Sequence, residues 1–256
     1  GGPLANNEAA YLALDEAAWK IAEQEGVGTL EYRTIRARNS GKKDWCVARD
    51  VSATFQKPLK QDPDEILLDI PRKQRAVVRK SLKAGLRCSW DRNVDVFYAL
   101  YAESLRNLGT PVFPKGLFSE LLTVFDEDVE IQVIYSPEGK AVASLMSFYH
   151  GDWVLPYYAG GSVVARKYGA HDFMYYQLMI RAAERGKSAF DFGRSKVDSG
   201  PFKFKKNWGF EPIALEYETR LAEGAVKPDL SPTNKKFELM VKVWKKLPLP
   251  VANFVG

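Results

Sequence analysis

The sequence predicts an α+β fold, a mixed and mostly antiparallel sheet flanked by helices, and three observations carry that expectation. Three β-rich segments follow one another between residues 130 and 159, separated by turns short enough to force antiparallel pairing. A long helical period from Ala170 to Arg185 then leads through Gly186 into Ala189 to Phe192, an apolar run of the buried-strand type. The 256 residues are 46% hydrophobic and 27% charged, enough to bury one large core or two modest ones.

Each element has its own signal. Asn6 or Asn7 caps a helix that runs through Ala9, Leu12, Leu14, Ala18 and Ile21 to Gln24, with Gly26 as its stop. Thr29 to Ile35 and Trp45 to Val51 read as a hairpin turning at Asn39-Ser40-Gly41, with Thr54 to Leu59 as a candidate extension. Asp62-Pro63-Asp64-Glu65 places a cap, a proline at the first helical position and two acids where the macrodipole favours them. A basic helix from Arg72 to Ala84 ends at Gly85 and leads into the strand Leu86 to Trp90.

Two amphipathic helices follow, Asp95 to Leu108 and Lys115 to Phe125. The three strands come next: Glu130 to Tyr135, Ala141 to Tyr149 and Trp153 to Ala159. After the Ala170 helix and the buried strand, a short helix at Pro201 to Trp208 and a strand at Pro212 to Tyr217 complete the order. A tail from Pro228 carries one more helix, Thr233 to Lys246, closed by Leu247-Pro248-Leu249-Pro250.

Composition excludes several classes. Cys46 and Cys88 are two cysteines with no CxxC pair and no neighbouring histidine, so neither a disulfide framework nor a metal site is expected. No apolar run approaches the roughly 20 residues of a membrane span, and the expectation is a soluble, cytoplasmic protein. The chain opens on Gly1-Gly2 without a methionine, as a tag remnant or an excised fragment would. A formal charge of +5 favours anionic partners, and the basic residues cluster in Arg72 to Lys80 and Lys203 to Lys206.

The runs Trp153 to Gly161, Phe190-Asp191-Phe192-Gly193-Arg194-Ser195-Lys196 and Gly200 to Phe210 together resemble the FemAB-like proteins associated with PEP-CTERM and exosortase loci, within the GNAT superfamily. The resemblance is best over residues 62 to 220. It implies paired GNAT-like domains: residues 1-60 as the C-terminal part of a first, 61-222 as a complete transferase domain, and 223-256 as a tail with one helix. It also implies transfer of an acyl or aminoacyl group to an amine of a cell-envelope or exopolysaccharide-related acceptor. No tightly bound cofactor is implied; the donor is either an acyl-CoA or an aminoacyl-tRNA.

The candidate residues follow. GNAT enzymes hold the CoA pyrophosphate on amides of a loop that opens a helix. Arg166-Lys167-Tyr168-Gly169-Ala170-His171 stands in that place, with Arg166 and Gly169 as candidate binding residues and a bulky His171 where a small residue belongs. Gly169 equally serves a tight strand-to-helix turn. Lys203, Lys205 and Lys206 open a short helix and suit a phosphate backbone, while Phe202, Phe204 and Trp208 suit either base stacking or core packing. Asp191, Arg194, Ser195 and Lys196 end a buried strand, where open sheets present ligands, although charged residues there also satisfy turn backbone.

Tyr157 and Tyr158 are neighbours on a strand, so alternation predicts that one faces the cleft as a donor to a carbonyl or leaving group, the alternative being a packed aromatic. The candidate catalytic set is therefore Tyr157, Tyr158, Asp191 and Arg194. His150 and His171 have no acid partner in the sequence, and Asp152 reads as a turn former. Arg72, Arg75 and Arg79 share one helix face, a solvated face or a polyanion track. Two functions compete: amine attack on an activated acyl group without metal or covalent intermediate, and a binding module that grips RNA or an anionic sugar without chemistry.

Overall fold

The computed structural model describes residues 1–226 and 235–255. Helix α1 (Glu8–Gln24) starts where the Asn7 side chain accepts from the Ala10 amide at 2.9 Å. Strands β1 (Thr29–Thr34) and β2 (Trp45–Pro58) precede α2 (Pro63–Asp69), which Asp62 caps by accepting from the Asp64 and Glu65 amides. Helix α3 (Arg72–Leu82) leads to β3 (Arg87–Asp91), and α4 (Val94–Leu108) stops at Gly109, whose φ of 83° suits a residue without Cβ. Helix α5 (Lys115–Phe125) precedes β4 (Val129–Tyr135), β5 (Ala141–His150) and β6 (Trp153–Gly161).

Then come α6 (Ala165–Tyr168), α7 (Ala170–Glu184), β7 (Ala189–Asp191), β8 (Ser195–Lys196), α8 (Gly200–Asn207) and β9 (Pro212–Leu221). The expected tail helix begins outside the described residues, at Thr233; its described part is α9 (Lys235–Trp244). The expected closure at Leu247 to Pro250 is instead the entry to a further helix, α10 (Leu249–Val255), because a proline in the first turn has no intrahelical partner to lose.

By contact the chain divides into Gly1–Thr54 with Arg194–Lys203 and Pro212–Ser231, and Phe55–Gly193 with Phe204–Glu211 and Pro232–Gly256. In the first unit β1 pairs antiparallel with β9, from Thr29↔Leu221 to Thr34↔Glu216, and β9 lies between β1 and β2. The hairpin expected of β1 and β2 is therefore not formed. The reason is Glu218 on β9, a wholly buried carboxylate. It accepts from the Arg38 and Asn39 amides at 2.9 and 2.5 Å, so the loop meant to turn the hairpin is drawn to β9. Leaving that charge without donors would cost several kcal/mol, about what removing one partner of a buried charge costs.

In the second unit β2 from Gln56, β7, β6, β5, β4 and β3 lie side by side. The three expected successive strands do pair antiparallel, and β6 runs parallel to β7 across α7. Two glycines at the end of β6 show how the helices cover this sheet. A Cβ on Gly160 would come within 2.4 Å of the Tyr101 backbone on α4, and one on Gly161 within 2.6 Å of the His171 ring on α7. Successive strand residues point to opposite faces, so α4 and α7 pack on opposite sides. Under α4 and α5 the core gathers Phe97, Tyr101, Phe118, Leu122, Ile131, Val133 and Met146. Burying a side chain of Phe118's size contributes about 1.5–3 kcal/mol.

Candidate functional site

Strands β6 and β7 are in register at Trp153↔Ala189 and Val154↔Phe190. On its other edge β7 pairs with β2, from Pro58↔Ala189 to Gln56↔Asp191, and the Phe192 amide donates to the Phe55 carbonyl at 2.8 Å. The ladder with β6, by contrast, stops at Val154 although β6 runs on to Gly161. The second half of β6 thus leaves its parallel neighbour, and a gap opens at the carboxyl ends of two parallel strands, where sheets of this kind hold ligands. At the same place β6 carries a bulge. Tyr158 is opposite Met146 and Pro156 opposite Ser147, leaving Tyr157 as the extra residue.

That bulge overturns the expected alternation of the two tyrosines. Their rings lie 4.8 Å apart, and both edge onto Phe148, at 5.8 and 6.5 Å, so they share a face. Tyr158 packs among Tyr101 and Phe118, at 5.7 and 5.2 Å, and burial pushes its phenol up, with Tyr157 adding to the shift. Tyr157 is 65% exposed and is the phenol of the pair open to solvent.

The turn that opens α7 is filled by the chain's own side chains. Gly169 holds φ at 64°, so the turn requires glycine whatever else the loop does. The His171 ring lies against Gly161, and burial, then the charge of Arg166, holds its imidazole below the ordinary histidine range. Asp172, in the first turn, accepts from the Gln74 amide of α3. Burial pushes its carboxyl up, against the pull of the Trp208 indole, Gln74 and its own backbone amide. Arg166 and Lys167 are exposed beside this turn.

At the end of β7 the Asp191 carboxylate accepts from the Gly193 amide at 2.7 Å and from Gln56 at 2.8 Å, the turn-satisfying arrangement. Lys205 donates to the Gly193 carbonyl at 3.0 Å with its ammonium over the Phe55 ring. Trp208, a candidate for base stacking or for core packing, is wholly buried beside Tyr175, Phe192 and Phe204, so it is a core residue with no face to offer a base. Lys206 is exposed on α8.

The remaining candidates lie in the first unit. Arg194 donates to the Tyr217 hydroxyl at 3.0 Å and the Ser52 hydroxyl at 3.3 Å, and Tyr217 donates to Ser52 at 3.0 Å. Ser195 is buried on β8, and its hydroxyl has no hydrogen-bond partner among the described residues. Lys196 and Lys203 are exposed. Sequence reasoning missed Gln56, Ser52, Gln74 and Tyr217, which enter through strand pairing and helix packing rather than through any motif. Asp172 carried a signal, an acid in the first turn of the helix where a phosphate was sought.

The profile of the acetyltransferase (GNAT) domain matches residues 72–206, more than half of the chain. Sequence comparison with curated proteins gives no significant match. Among solved structures, FemX superposes with a TM-score of 0.63 at 18% identity, covering 82% of this chain and 77% of that one. L-PGS from Bacillus licheniformis gives a TM-score of 0.59 at 13% identity, over 94% and 80%. A tandem GNAT protein from the clavulanic acid biosynthesis pathway gives 0.53 at 13%, over 87% and 73%. Among the described residues, no helix is long and apolar enough to cross a membrane and no cluster of metal-binding side chains occurs. With the β6/β7 gap, the bulge and the profile match spanning the same part of the chain, the protein belongs to the GNAT acetyltransferase-domain family and is an N-acyltransferase by class.

Proposed function

We propose that this GNAT domain transfers an aminoacyl group from an aminoacyl-tRNA to an amine, at the gap between β6 and β7. Domains of this family generally draw on an acyl-CoA, and one observation favours another donor here: the opening turn of α7 is occupied by His171 against Gly161 and by the Asp172 carboxyl. A helix N-terminus attracts an anion by about 0.3–1 kcal/mol at the surface, up to about 2 when partly buried. Two like charges about 4 Å apart at an effective dielectric near 20 repel by about 4 kcal/mol. While Asp172 is ionised the repulsion wins; burial favours its neutral form, in which the His171 ring against Gly161 still crowds the turn, so a CoA pyrophosphate is poorly served in either state. An aminoacyl ester needs no pyrophosphate cradle, only orientation and an oxyanion donor.

The bulge at Tyr157 supports the reading, because a residue left out of the ladder aims local donors into the gap. The exposed Tyr157 phenol suits protonation of the leaving 3′ oxygen, and Lys206, exposed on α8 in the same unit, suits a phosphate near a tRNA end. The acceptor in this reading is an amine of an envelope or exopolysaccharide precursor, such as an aminosugar. The test is transfer of radiolabel to an aminosugar acceptor from aminoacyl-tRNA and, in parallel, from acetyl-CoA. Product from the charged tRNA is expected; product from acetyl-CoA alone would replace this donor with the family's usual one.

A further inference from the structure

The outer face of α3 is a concentration of positive charge that the transfer gap does not use. At 3.6 residues per turn, Arg72, Arg75, Arg79, Lys80 and Lys83 fall on one side of the helix, while the buried Val78 and Ser81 fall on the other. These cations and Ala76 line an open groove of about 620 Å³. Arg75 is fixed in place, donating to the Ile70 and Leu68 carbonyls at 3.0 and 2.9 Å. Arg72, Arg79, Lys80 and Lys83 are exposed, and among the described residues no carboxylate makes an ion pair with them. The dipole of α3 favours Arg79, Lys80 and the C-cap Lys83 at its C-terminal end but disfavours Arg72 at its start, and the like charges repel one another, so folding does not explain the whole row.

We infer that this face is a docking track for the phosphate backbone of RNA, carrying the body of the tRNA whose charged end enters the β6/β7 gap; it rests on the donor reading above. The spacing fits. From Arg72 to Lys83 the helix rises roughly 16 Å at 1.5 Å per residue, against a backbone that advances about 3.4 Å per phosphate along a helical strand, so roughly four or five phosphates pass alongside. Arginine forks bind phosphate oxygens in pairs, which suits a backbone over a diffuse surface. An anionic lipid surface carries the same charge but asks for a helix with an apolar face to bury in the interface. Val78 is wholly buried in the second unit, and the exposed Val77 and Leu82 lie on different sides of the helix, so α3 offers no continuous apolar face. That observation favours the polynucleotide.

The test is fluorescence anisotropy of labelled tRNA with the whole chain, read between about 50 and 200 mM salt. The variant Arg72→Glu/Arg79→Glu/Lys80→Glu is compared with Lys43→Glu/Lys140→Glu, which alters exposed cations elsewhere. We expect the triple variant to lose at least about tenfold in affinity and to flatten the salt dependence by about one power of salt per contact removed, with the control little changed. Should the triple reversal fail to fold, the milder Arg72→Gln/Arg79→Gln/Lys80→Gln carries the same expectation at smaller size. Equal affinity in wild type and variants overturns the track, as does an equal loss in the control. Loss of binding to phosphatidylglycerol vesicles with tRNA binding intact overturns it in favour of lipid. If tRNA binding depends on α3 while label is transferred only from acetyl-CoA, the donor reading fails and the track stands; transfer from aminoacyl-tRNA with α3 irrelevant gives the reverse.

Discussion

Two neighbouring parts of the second unit offer positive potential to an anion, the first turn of α7 and the outer face of α3, and they have been built in opposite ways. The α7 turn is closed by the chain itself, with the His171 ring seated on Gly161 and Asp172 held by Gln74. The α3 face has its cations in water without an acid among the described residues to pair them. Where a site is filled by its own side chains, substitution reads out as stability; where it is open, substitution reads out as binding. Family membership alone would have directed attention to the closed turn.

The largest stability effect expected from this contrast is at Gly161. A Cβ there meets the His171 ring at 2.6 and 2.8 Å, so Gly161→Ala displaces the ring and costs about 1–3 kcal/mol, as overpacking of a filled site does. The control is Gly116→Ala on α5, where a Cβ meets nothing within 4 Å and helix propensity predicts a gain of about 0.5–1 kcal/mol. Urea unfolding of the two proteins checks the pair. An unchanged midpoint for Gly161→Ala means that the turn is not closed by His171.

A smaller effect is expected in the pH dependence of stability. Burial and Arg166 lower the His171 pKa from its ordinary value of 6.5, so the unfolded chain takes up this proton first as pH falls. The stability it contributes is complete above 6.5 and is lost as the pH drops through the lowered folded value. Asp172, raised by burial, acts with the opposite sign: its contribution is present below its ordinary range and is lost as the pH rises through the raised value. Comparing wild type with His171→Gln cancels the Asp172 part. The wild type should lose stability faster on acidification, and parallel curves would remove the buried histidine from the account.

The smallest effect belongs to the open face. Reversing Arg72, Arg79 and Lys80 should change the unfolding free energy by no more than about 0.5 kcal/mol per exposed site, even as tRNA affinity falls. A stability loss as large as that of Gly161→Ala would make the α3 cations structural.

Much of this molecule is legible along the chain because its signals are local. Asn7 and Asp62 cap the helices they precede, and the short turns of β4, β5 and β6 dictate their pairing. What failed is non-local. The partner of β1 is decided by Glu218, a carboxylate about 180 residues further along whose need for backbone donors no hairpin pattern reveals. The facing of Tyr157 and Tyr158 depends on one extra residue in the ladder, which strict alternation does not anticipate. The burial of Trp208 depends on Tyr175 and Phe192 closing over it from other elements. Conversely, the spacing of Arg72, Arg75 and Arg79 announced a charged face correctly, because helical period alone decides which side chains line up.

The most direct test of the central claim is equilibrium binding of labelled aminoacyl-tRNA at near-physiological salt while acetyl-CoA is titrated in. The closed α7 turn predicts tight tRNA binding that acetyl-CoA does not displace. Saturable acetyl-CoA binding, with only a weak and salt-sensitive association of tRNA, would contradict it and return this domain to the acyl-CoA-dependent acyltransferases.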